Sequence, residues 1–221
     1  METFYSGYVI ESAQGTPGLI LHTPEGRPYR FDPGALCLEL LPTGGYASDR
    51  AHEVVRTRYA AYEVLHTPAD LVRWAGESRL PDGLCLSVSA AELRRAHELR
   101  AALWTLAVAR AHGRPLAPAH LATVNDVAAG PPLVPRVDIG SGRLAWAPDA
   151  TGSALLSTVA RDAVELFTGP YADRVRECGS EMCKLLFVDT SRPGRRRWCA
   201  MERCGNLHKV RAHRARHSAT D

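Results

Sequence analysis

The clearest pattern in the chain is an apolar stripe between Ser89 and Gly113. Leu93, Ala96, Leu99, Leu103, Leu106 and Ala107 recur at the 3.6-residue period, and Ser89 with Glu92 supplies a capping-box start, so a long helix is predicted there. Thr67, Pro68 and Asp70 predict a second start, with Thr67 as N-cap, proline in the first turn and a carboxylate near the positive helix end, running to about Ser78. A helix from Pro118 to about Ala128 ends at Gly130, and another spans about Gly152 to Phe167 before Gly169-Pro170. Between them, Leu133 to Val137 and Arg143 to Ala147 flank Gly140-Ser141-Gly142 and predict a hairpin. The apolar run Gly34 to Leu41 is too short for periodicity to separate strand from helix and is assigned as weakly helical. Tyr5 to Glu11, Gly18 to His22 and the pair Tyr29 and Phe31 read as short strands.

An apolar content of 45% supports a real core, and no apolar stretch approaches the length of a membrane span. The opening Met1 to Gly7 has no export-signal pattern, which gives the expectation of a cytoplasmic protein with reduced thiols and no membrane contact. Charge divides the chain further. Residues 184–221 carry ten Lys or Arg against three Asp or Glu, so the overall +3 hides a basic end on an acidic remainder. That distribution fits a localised contact to phosphates more than polyanion binding by the whole surface.

Four of the six cysteines cluster near the C-terminus with the spacing C-x4-C-x15-C-x4-C, at Cys178, Cys183, Cys199 and Cys204. Two short loops presenting two sulfurs each match the tetrahedral preference of a structural zinc, and a closed four-thiolate shell leaves no position for catalysis. Iron–sulfur ligation by the same set stays as an alternative. His208, His213 and His217 are assigned to the surface, and Cys37 and Cys85, alone in apolar sequence, as small buried residues. Between the cysteine pairs, Leu185 to Val188 and Arg196-Arg197-Trp198 are predicted to pair across a turn at Ser191-Arg192-Pro193-Gly194. A helix is predicted after Gly205-Asn206.

The stretch Trp198-Cys199-Ala200-Met201-Glu202-Arg203-Cys204-Gly205-Asn206, with Phe187-Val188-Asp189-Thr190-Ser191 before it and Lys209-Val210-Arg211 after it, resembles the CGNR zinc finger. Leu207 stands where that family has arginine. Proteins with this finger carry a mostly helical ABATE domain, and Gly34 to Leu40, Thr67 to Trp74 and Glu98 to Leu103 are similar to it. The resemblance implies one structural zinc, DNA binding and stress-linked transcriptional control. The expected fold is mainly α with small β elements (α+β): an N-terminal β extension over 1–30, an ABATE-like helical domain over 31–170, and over 171–221 a four-cysteine zinc finger of zinc-ribbon or treble-clef-like form with a basic C-terminal helix.

The cations expected to meet double-stranded DNA are Arg192, Arg195, Arg196, Arg197, Lys209, Arg211, Arg214 and Arg216, with Asp189 as a competing internal partner for Arg196 or Arg197. The N-terminal domain is expected to act as an effector or association module, leaving room for a small-molecule effector and a second copy of the chain. Trp74, Trp104 and Trp146 are assigned to the core rather than to an effector pocket. No P-loop, G-x-G-x-x-G, H-E-x-x-H or nucleophile elbow is present, so no enzymatic activity is expected. The competing reading is a protein-interaction module with purely architectural zinc.

Overall fold

A computed structural model describes residues 18–22, 26–44, 63–181 and 183–210. Tyr5 to Glu11, Arg211, His213, Arg214, Arg216 and His217 lie outside the described residues. The fold is mainly helical, and the strands among the described residues form four two-stranded sheets.

Among the described residues five helices build the body: α1 (Leu36–Glu39), α2 (Pro68–Glu77), α3 (Ala90–Ala111), α4 (Pro118–Ala128) and α5 (Gly152–Thr168). The α3 stripe buries Leu93, Ala96, Leu99, Leu103, Leu106 and Ala107 against α4 and α5, and α1 lies on α5. Both predicted capping carboxylates are in place. Asp70 accepts the Thr67 backbone N–H at 2.7 Å, and Glu92 accepts the Ser89 N–H at 2.8 Å. The other Glu92 oxygen accepts from the Ser153 N–H at 2.7 Å and its hydroxyl at 2.8 Å. One side chain thus satisfies orphan donors at the starts of both α3 and α5. A Cβ at Gly152 would come within 2.9 Å of Glu92, so glycine is what lets the two helix starts approach.

Strands β1 (Leu19–His22) and β2 (Pro28–Phe31) form an antiparallel hairpin. β3 (Leu86–Ser87) pairs in parallel with β6 (Ala150–Thr151), and β4 (Pro135–Val137) pairs with β5 (Leu144–Trp146) in the predicted central hairpin. Trp74 and Trp146 are buried, each with its indole N–H on a carbonyl, Glu39 at 3.1 Å and Pro81 at 2.9 Å respectively. Trp104 is half-buried beside the same core. Cys37 is buried as expected, but Cys85 is exposed because the loop before β3 leaves it outside the packing.

A polar cluster built on one buried carboxylate ties α1 to the segment after α2. Glu39 is fully buried and accepts from the Arg79 N–H at 2.8 Å and its Nε at 2.9 Å, while Arg79 also reaches Asp32 at 2.8 Å. Burial pushes the Glu39 carboxyl up to about 7, against the opposing pull of Arg79.

The body core continues into the C-terminal module through Val175, Leu186 and Val188. Glu177 fastens the same junction, receiving His112 at the end of α3 and Lys184, each at 2.7 Å. No helix among the described residues is long and apolar enough to cross a membrane.

Candidate metal centre

The predicted pairing of Leu185–Val188 with Arg196–Trp198 is not formed. Instead β8 (Leu186–Val188) pairs antiparallel with β7 (Val175–Glu177), a strand that precedes the first cysteine of the set. The physical reason lies in Asp189. Its fully buried carboxylate accepts the Ser191 N–H at 3.0 Å, the Ser191 hydroxyl at 2.6 Å and the Arg196 backbone N–H at 2.9 Å, which curls 189–196 into a compact loop instead of a return strand. Burial raises the pKa of this carboxyl, but the three hydrogen bonds outweigh it and hold the group below its ordinary range. Arg174 supports the loop from beneath, donating to the carbonyls of Asp189 at 3.1 Å and Ser191 at 2.8 Å.

This path delivers the cysteines in two pairs. Cys178 and Cys183 occupy the turn between β7 and β8, where the Cys178 N–H meets the Leu185 carbonyl at 2.9 Å and the Cys183 N–H meets the Ser180 carbonyl at 2.9 Å. Cys199 ends the loop, and Cys204 sits in the π-helical turn Met201–Gly205, whose Gly205 N–H reaches back to the Ala200 carbonyl at 3.2 Å. Residues 206–210 continue as helix, so helical structure begins before the predicted Gly205-Asn206 signal. Strand, knuckle, strand, loop and helix follow one another in treble-clef-like order.

All four sulfurs are buried and lie within 4.8 Å of one another. Cys183 and Cys199 are separated by 3.6 Å, and Cys199 and Cys204 by 3.7 Å. Sulfurs at the corners of a tetrahedron with bonds of about 2.3 Å to a central zinc stand about 3.8 Å apart, whereas a disulfide holds its sulfurs at about 2.0 Å. The spacing therefore fits ligation of one structural zinc and excludes a disulfide pairing. The Cys199 N–H also points at the Cys178 sulfur from 3.4 Å, an outer-shell hydrogen bond of the kind that orients thiolate ligands. Hydrogen bonds from the other three sulfurs draw Cys178 below the ordinary thiol range, while hydrogen bonding to Cys178 pushes Cys183 and Cys199 above it. A divalent cation is what allows all four to be thiolates together.

The predicted cations among the described residues separate into two groups around this centre. Arg192, Arg195, Arg197 and Lys209 are exposed, and Arg197 lies over the Trp198 ring with 5.2 Å to its centroid. Arg196 does not stand with them. Its guanidinium donates to the carbonyls of Trp198 at 3.0 Å, Asp32 at 3.4 Å and Cys199, and sits 4.3 Å above Phe187. The anticipated contact with Asp189 is made by the Arg196 backbone N–H, while the Arg196 side chain turns to these carbonyls instead. His208 is exposed and tilts against Trp198 with centroids 4.7 Å apart, so it stays outside the ligand shell.

Sequence reasoning missed the N-terminal contribution. Tyr29 and Phe31 of β2 are buried in one cluster with Cys178, Cys183, Cys199, Cys204 and Phe187. The available signal was a shortage: the module has few apolar residues of its own, and two aromatics at i and i+2 with alternating burial needed a partner.

A family model named ABATE, described as "Putative stress-induced transcription regulator", matches residues 34–170, and a CGNR zinc finger model matches residues 174–217. No curated protein matches the chain.

Proposed function

We propose, for a chain that belongs to the ABATE family and carries a CGNR zinc finger, that the zinc centre holds up a cationic surface which binds duplex DNA in a transcription regulator. The observation carrying this reading is the sorting of the arginines. Arg196 turns inward to fix the loop, while Arg192, Arg195, Arg197 and Lys209 remain exposed on a frame fixed by four buried sulfurs. A rigid frame spares much of the ordering entropy that a flexible basic tail loses on meeting phosphates. Zinc is structural in this account, because four sulfurs close its shell. The helical domain supplies the second half of a regulator, as an effector or association module.

DNA binding is tested by titrating duplex DNA at several salt concentrations. Affinity falls steeply as salt rises, and neutralising Arg195 and Arg197 together lowers the slope of log K against log salt by about 2. Absence of duplex binding at low salt by folded, zinc-loaded protein contradicts the reading. A second reading, docking of the finger on a protein, is favoured by one observation: Leu207 and Val210 are 52% and 47% exposed one helical turn apart. Under that reading, Leu207→Asp abolishes partner binding and leaves DNA affinity nearly unchanged.

A further inference from the structure

Residues 18–22 and 26–33 lie outside both family-matched segments, yet the side chains of Tyr29 and Phe31 complete the wall of the metal centre. β2 alternates strictly, with Pro28 and Arg30 outward and Tyr29 and Phe31 inward. Phe31 has no exposed surface and Tyr29 only 6%, and both pack in the cluster that contains the four cysteines, flanked by Leu21 of β1 and by Trp198. The hairpin is fastened to the finger at three further points. The Tyr29 hydroxyl accepts from Arg203 at 2.5 Å, and the Arg203 guanidinium lies 4.8 Å from the centre of the tyrosine ring. The Pro33 carbonyl accepts the Val188 N–H at 2.8 Å, so the chain leaving β2 runs along β8. The Asp32 carbonyl accepts from Arg196, while its carboxylate holds Arg79 of the body at 2.8 Å. Gly18 is required at the start of β1, with φ of +120° and a Cβ position only 2.6 Å from the Phe31 carbonyl oxygen.

We propose that the β1–β2 hairpin is a lid of the metal centre, in which Phe31 and Tyr29 exclude water and chelators from the four sulfurs and the Tyr29–Arg203 contact latches the lid closed. The geometry assigns Tyr29, Phe31 and Arg203 as positioning residues for zinc. Tyr29 and Phe31 pack among the ligand residues and Arg203 holds Tyr29, and none of the three supplies a ligand atom. Release of an ion held by the four sulfurs would require an incoming thiol, chelator or water to come between them and reach the ion, and the aromatic wall covers that approach. Residues lying between the cysteine pairs then position the ligands, whereas a hairpin far earlier in the chain controls how fast the ion leaves. This inference rests on the zinc centre and is independent of DNA binding.

The test is the rate at which full-length, zinc-loaded protein releases its ion to a chromogenic chelator under native conditions. Phe31→Ala is expected to accelerate release about tenfold or more, the size seen when outer-shell support of a metal site is removed. Tyr29→Phe keeps the ring and removes only the hydroxyl that Arg203 reaches, and is expected to give a smaller acceleration of about threefold. Val124→Ala, in the body core at 2% exposure, is the control for general softening and should release zinc at the unaltered rate. If Phe31→Ala does not fold, Tyr29→Phe and Arg203→Ala are measured singly and together. Non-additive accelerations support the latch, and simple additivity overturns it. Unchanged release from both lid variants, or equal acceleration by Val124→Ala, overturns the lid.

Discussion

In the helical body, Leu99, Leu103 and Leu106 of α3 are fully buried against α4 and α5, and apolar area removed from water holds the helices together. In the finger, Phe187 shares a small cluster with Tyr29, Phe31 and the four cysteines, and order comes from the sulfurs, the Asp189 loop and the inward turn of Arg196. The difference sets what each region tolerates. Apolar packing is distributed, so losing one side chain weakens it by a fraction. A metal centre is concentrated, so losing one ligand removes most of what folds the module. Concentration also leaves the finger's surface free to carry cations that a packed core could not have placed so densely.

Loss of a ligand should produce the largest separation of the two regions. Cys199→Ser is expected to drop zinc from one ion per chain to nearly none, forfeiting roughly 10 kcal/mol of metal-linked folding free energy in the finger. Elemental analysis and hydrogen exchange check this, with protection lost over residues 175–205 and kept in α3. Leu103→Ala reverses the pattern. It should lower body stability by about 3 kcal/mol in chemical denaturation while zinc content stays at one per chain.

Glu39 sharpens the comparison by pH. Its folded carboxyl holds its proton more tightly than the unfolded one, near 7 against an ordinary 4.5. Its contribution is therefore fully present below about pH 4.5 and is lost as pH rises toward 7, by up to about 3 kcal/mol. Glu39→Gln should flatten that slope in pH-dependent unfolding. Glu92 behaves oppositely. Burial alone would raise its pKa, but hydrogen bonds from Ser89 and Ser153 lower it, so its stabilisation exists at neutral pH and disappears as pH falls through the acid range. Glu92→Ala should destabilise the body by about 1–2 kcal/mol at pH 7, because two helix starts lose a cap. The smallest expected change is at the surface, where Arg195→Ala should weaken DNA binding by about 1 kcal/mol without altering zinc retention.

What was legible in the sequence follows the range of the interactions. Ser89 with Glu92 and Thr67 with Asp70 are local signals three residues apart, and the structure keeps both. The cysteine spacing likewise carries its own chemistry, and the four sulfurs converge as expected. The partner of β8 departs from the expected one because Arg196-Arg197-Trp198 has strand-like composition, whereas one buried carboxylate collecting three donors at Asp189 decides the path. Arg196 looked like its neighbours Arg195 and Arg197, since composition cannot say which arginine of a run faces inward. The contact between Tyr29 and Arg203 joins positions 174 residues apart, beyond the reach of any periodicity.

The most direct test of a zinc-held cationic surface is the affinity for duplex DNA before and after zinc is chelated, with far-UV circular dichroism following the body helices in the same samples. DNA affinity is expected to be lost when zinc leaves, the α3 to α5 helical signal to persist, and binding to return when zinc is restored. Undiminished, salt-dependent DNA binding by the zinc-free protein would contradict a zinc-held surface, because the cations would then need no scaffold.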